Sequence, residues 1–118
     1  MIALTNAELD RKIAIDIMKW HEHKFDDWWG MVRWENEEGE TMCLTDYWKP
    51  SEKLDQAWQV VENRKADGWY PIIQCDTESN GTRVSFYRRV NQQITEAVID
   101  DSFARAICLA ALQTVEGK

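Results

Sequence analysis

Three stretches of the chain repeat apolar side chains at helical spacing, with polar or alternating segments between them. Thr5-Asn6-Ala7-Glu8 has the form of a capping box, and Leu9, Ile13, Ile17 and Trp20 follow on one stripe with Ala14 and Met18 beside them. This pattern predicts a first helix ending near Lys19. Leu54, Ala57, Trp58 and Val61 predict a second helix, with Ser51 as its N-cap after Pro50 and Gly68 as a left-handed stop. Ala106, Ile107, Ala110 and Ala111 predict a last helix capped by Asp101 or Ser102, with side chains small enough for close packing.

Between the helices the period changes. The run KFDDWWGMVRW, the turn Glu37-Glu38-Gly39-Glu40 and TMCL predict one hairpin. Trp69 to Cys75, the turn Glu78-Ser79-Asn80-Gly81 and Arg83 to Val90 predict a second, with Asn-Gly the stronger turn signal. The expected order is therefore α-β-β-α-β-β-α: an α+β domain over residues 1–118, with an antiparallel sheet of about four strands and three helices on one or both faces, an α-β-α sandwich. The two αββ units share too little sequence to form a repeat.

Three pieces carry a family resemblance: the early helix leading into Trp20, the segment PSEKLDQAWQVVENRKADGWY, and ARAICLAALQTV. In this order and spacing the chain resembles the phage ABA sandwich domain family, uncharacterised proteins of phages and prophages. The resemblance implies a three-layer α-β-α fold, a phage or prophage origin and the host cytoplasm as working place. It transfers no catalytic residue, because the matching pieces are core helices. The tryptophan-rich first hairpin departs from the family pattern.

Composition narrows the function classes. With 118 residues, 44% hydrophobic and 30% charged, the chain suits one globular core and neither a disordered nor a membrane class. No apolar run reaches the ~20 residues that span a bilayer, and MIALTNAELD lacks the pattern of a signal peptide. Cys43, Cys75 and Cys108 are odd in number, lie far apart in apolar contexts, and read as reduced core thiols. A net charge of -7 disfavours long nucleic acid, yet suits a basic protein partner or a small anion in a local pocket.

Few residues point to chemistry. His21 and His23 fall on one side of an extended segment, but no second histidine or cysteine cluster completes a metal site, so no metal and no cofactor is expected. Asp26-Asp27 and Asp100-Asp101 are sequence neighbours whose carboxylates diverge, the glycines are isolated, and the thiols lack an electropositive setting, so catalysis is not expected either. The strand RVSFYRRV puts Arg83, Ser85, Tyr87 and Arg89 on one face and Val84, Phe86 and Arg88 on the other.

Arginine forks hold phosphates and aromatic rings stack on bases, so Arg83, Tyr87 and Arg89, with Trp28 and Trp29 of the first hairpin, are the candidate ligand-binding residues. The plainer expectation for the arginines is pairing with carboxylates on a neighbouring strand. Trp20 and Trp58 are expected in the core, and Trp28, Trp29, Trp34 and Trp48 are candidates for exposure. The function that fits is a non-catalytic binder sequestering a small anionic nucleotide signal of host immunity. The alternative is a protein-interaction module that binds a host or phage protein through the tryptophan-rich hairpin and the acidic surface, and either reading admits a homo-oligomer.

Overall fold

The computed structural model describes residues 4–24, 32–76 and 81–116. Helix α1 (Asn6–Lys12) starts at the expected capping box: the Thr5 hydroxyl accepts the Glu8 N–H at 3.1 Å, and the Glu8 carboxylate accepts the Thr5 N–H at 2.9 Å. The helix continues as a π-helical turn, Ile13–Ile17, where the Met18 N–H reaches back to the Ile13 carbonyl. Lys19, at φ 61, then ends the helix in a left-handed conformation. Leu9, Ile13, Ala14, Ile17 and Trp20 are all buried, as their spacing predicts.

Among the described residues seven strands follow where about four were expected, and they divide into two antiparallel sheets. The smaller has the order β1 (His21–Lys24), β2 (Val32–Glu35), β3 (Thr41–Leu44). The larger is built on the long hairpin β4 (Trp69–Asp76) and β5 (Gly81–Arg88), whose register runs from Trp69 opposite Arg88 to Asp76 opposite Gly81. Two short strands, β6 (Gln93–Ile94) and β7 (Val98–Asp100), pair in succession with the other edge of β5. Neither strand was expected, because two or three residues are too few to show a period. Gly81 sits tight against β7, where an added Cβ would lie 3.2 Å from the Asp100 carbonyl oxygen.

Helix α2 (Leu54–Ala66) packs on β4, and α3 (Phe103–Glu116) packs on β5 and β7. The two helices also pack on each other, and the first helix closes against both. Val84 and Phe86 of β5 face this helical layer with no exposure, opposite Ile107, Ala110 and Ala111, which are equally buried. The α+β sandwich class follows, with the core between the large sheet and the helices. Ser102 caps α3, its hydroxyl accepting the Arg105 N–H at 3.2 Å. Arg105 then ties α3 to the start of the chain, donating to the Leu4 carbonyl at 2.6 Å and to the Asn6 side chain.

Three sequence expectations are corrected. Ser51 does not cap α2, whose N-cap is Lys53 without a side-chain bond, because the turn at residues 50–52 delays the helix and buries Ser51. The buried stripe of α2 is Ala57, Val60, Val61 and Arg64 rather than the one through Leu54 and Trp58, so Trp58 is 43% exposed. Gln56 shares the buried side because its amide donates to the Tyr47 carbonyl at 2.9 Å and accepts the Lys49 N–H. Cys75 is exposed near the end of β4, which leaves Cys108 as the core thiol and Cys43 half-buried.

Truncating Phe86 to Ala therefore removes a wholly buried ring and should cost about 3–5 kcal/mol. Trp58→Ala should cost about 1 kcal/mol or less despite its helical spacing. Denaturant unfolding of the two variants checks the order, which reverses if Trp58 is the core residue.

Candidate functional site

A cleft of about 420 Å³ opens where α1, the small sheet and the connector between β3 and α2 meet. Helix α1 supplies Asp10 and Arg11, β1 supplies Glu22, and β2 supplies Trp34. The connector adds Asp46, Trp48, Lys49 and Glu52. Alternation along β2 turns Val32 and Trp34 towards α1 and leaves Arg33 and Glu35 on the other side. Arg11 forms an ion pair with Glu22 and lies with its guanidinium carbon 5.8 Å from the Trp34 ring centroid.

The floor is held by one residue. The Asp10 carboxylate accepts the backbone N–H of Ser51 at 2.8 Å, and the Asp10 carbonyl accepts the Trp48 indole N–H at 3.2 Å. Trp48 meets Trp20 edge to face with centroids 4.7 Å apart. Trp34 and Trp48 are thus only 3% and 4% exposed, which removes both from the four candidates for exposure. Burial pushes the Asp10 carboxyl above the usual range with a smaller push from nearby Glu52, while hydrogen bonding from Ser51 pulls it down.

Four carboxylates line this cleft, Asp10, Glu22, Asp46 and Glu52, against the two cations Arg11 and Lys49. Its field therefore favours a cation over an anion. The sequence drew attention to Trp34 through the tryptophan-rich hairpin, but this cleft and its charge balance were not legible, because the residues come from four segments. The local signal was the density of carboxylates and tryptophans between residues 20 and 55.

The candidate ligand-binding residues lie elsewhere. Arg83 and Tyr87 share the side of β5 that faces away from the helices, with Ser85 between them. Arg89 falls in the turn after β5 ends, so it does not continue their row. Trp28 and Trp29 lie outside the described residues. The surroundings of Arg83 and Tyr87 went unread in the sequence: Tyr70, Ile72, Ile94 and Ile99 are exposed on the same side. Arg88, on the helix side, stacks 5.3 Å from the Trp69 ring centroid.

On the small sheet His21 and His23 do point to one side, and both approach the buried Glu35 carboxylate, at 3.3 and 3.8 Å. Arg33 Nε donates to the other Glu35 oxygen at 3.0 Å. Glu35 is occupied by these neighbours, and among the described residues no group of three His, Cys, Asp or Glu side chains is arranged to hold a metal ion. Burial pushes the Cys43 and Cys108 thiols upward, away from the thiolate that a nucleophile requires.

Family comparison separates fold from chemistry. The model of the phage ABA sandwich domain matches residues 11–112. The chain belongs to this family. A phage protein from Bacillus cereus ATCC 14579, with a 2.0 Å crystal structure, has the same fold as this phage ABA sandwich chain: TM-score 0.68, 19% identity, covering 98% of this chain and 92% of that one. No curated protein matches at a significant level. Among the described residues of the phage ABA sandwich chain, no helix is long and apolar enough to cross a membrane.

Asp10 gives a direct test of the cleft. A carboxyl whose folded pKa is raised binds its proton more tightly in the folded state, so its contribution to stability declines as pH rises from about 3.9 through the folded value. Asp10→Asn keeps an oxygen for the Ser51 N–H and removes the charge, so its stability relative to wild type should increase from pH 4 to pH 7. Asp10→Ala should lose about 1–3 kcal/mol by leaving the Ser51 N–H without its acceptor. Thermal unfolding across that pH range measures both.

Proposed function

We propose that this phage-family protein is a non-catalytic binding module that takes a basic segment of a protein partner into the cleft between α1, the small sheet and the connector. The supporting observation is the lining: four carboxylates to two cations around two buried indoles. An arginine or lysine suits such a place, because its aliphatic stem lies against tryptophan while its charged head meets carboxylates. Arg11 already occupies one such position, over Trp34 and paired with Glu22. Asp46 and Glu52, exposed at the rim, offer a partner's cation a second position beside it.

Fluorescence anisotropy with a labelled Lys/Arg peptide tests this reading. Wild type should bind with an affinity that weakens as salt rises, and Asp46→Lys with Glu52→Lys should weaken it at least tenfold without changing the fold. Absence of binding by wild type, or binding undiminished by the charge reversal, overturns the assignment.

A second reading is capture of a small anionic nucleotide signal, blunting a host defence. It is favoured by Arg83 and Tyr87 projecting from the same side of β5. Native mass spectrometry of protein purified from cells with an active nucleotide-signalling defence should then show a stoichiometric adduct that Arg83→Ala removes. A clean apo mass excludes it for the signals in those cells.

A further inference from the structure

The large sheet has helices on one side and an open surface on the other. Register assigns that open surface to rows. Tyr70, Tyr87 and Ile94 lie side by side across β4, β5 and β6. Ile72 lies beside Ser85. Gln74, Arg83 and Ile99 lie side by side across β4, β5 and β7. Four of these are large apolar or aromatic residues left exposed, Ile94 the most at 60%. None of the eight is a carboxylate, in a chain with 21 of them.

The arrangement is self-complementary. A twofold axis parallel to the sheet, crossing β5 above Ser85, would map the first row onto the third. Arg83 would then meet Tyr87 of a second copy, Gln74 would meet Tyr70, and Ile99 would meet Ile94. On the axis, Ile72 would meet Ile72 of the other copy, and the small Ser85, 9% exposed, would let the two sheets approach. Each pairing is favourable in kind: cation over ring, amide with phenol, and apolar with apolar.

We propose that two copies of this chain pack face to face through this surface, forming an isologous dimer about that axis. Two chains of net charge -7 repel over most of their surfaces, and none of the eight positions in these rows adds a carboxylate to the contact. The exposed edge of the sheet is a poorer route, because Pro71 within β4 has no N–H for a continuous ladder with another strand. Sheets packed face to face sit about 10 Å apart at roughly -30°, a separation that tyrosine and arginine side chains can bridge. Eight positions on three strands cover on the order of 500 Å² per copy, hence about 1,000 Å² per dimer, at the low end for specific association.

Sedimentation velocity across a concentration series tests the proposal. Wild type should pass from monomer to dimer, and Ile72→Asp, which places two carboxylates together on the axis, should abolish the dimer with an unchanged circular-dichroism spectrum. Arg83→Glu should weaken the dimer about tenfold, and adding Tyr87→Arg should restore it. Positions 83 and 87 lie about 14 Å apart along one strand, so the restored pair must form between copies. A wild-type monomer at every concentration, a dimer that survives Ile72→Asp, or an Arg83→Glu defect that Tyr87→Arg fails to relieve each overturns the proposal.

Discussion

One buried aspartate holds together parts of the chain that local sequence does not connect. Asp10 receives the Trp48 indole on its carbonyl and the Ser51 amide on its carboxylate, contacts spanning 38 and 41 residues. Through them α1 fixes the connector, the connector fixes where α2 begins, and the cleft acquires its floor. Burying a carboxylate is costly unless its oxygens are bonded. The raised carboxyl of Asp10 shows that the Ser51 bond offsets this cost only in part. Nearby Glu52 adds to the cost, so the cleft keeps a concentration of negative charge at some expense to folding.

The helices were legible because their signals are local. Thr5 and Glu8 form their capping box within four residues, Gly68 ends α2 at φ +90, and the small residues of α3 all face inward. The long β4–β5 hairpin was legible for the same reason. The division into two sheets was not, since β6 and β7 acquire strand geometry only by pairing with β5. The face of α2 was misread because Leu54 and Trp58 are apolar and well spaced, while the turn after Pro50 sets a different rotation and buries Gln56.

Site residues were harder to read than fold. The alternation of Arg83, Ser85 and Tyr87 on one side of β5 followed from strand geometry, yet its neighbours required the register with three other strands. The His21 and His23 pair was likewise visible, but Glu35, where both converge, is fixed only by the pairing of β1 with β2. Tryptophan count was a poor guide to exposure. Trp34 and Trp48 are closed in by α1 and by Trp20, contacts that no periodicity reveals.

The bond from Arg105 to the Leu4 carbonyl spans 101 residues, and the one to Asn6 spans 99. Loops of that length close slowly, because the entropy of bringing the ends together must be spent before the contact forms. During synthesis α1 leaves the ribosome before either helix that covers its apolar stripe, and α3, the larger part of that cover, emerges last. The cover over Leu9, Ile13 and Ile17 is completed only by the last helix, so the demand for chaperone protection is set by how late that helix arrives.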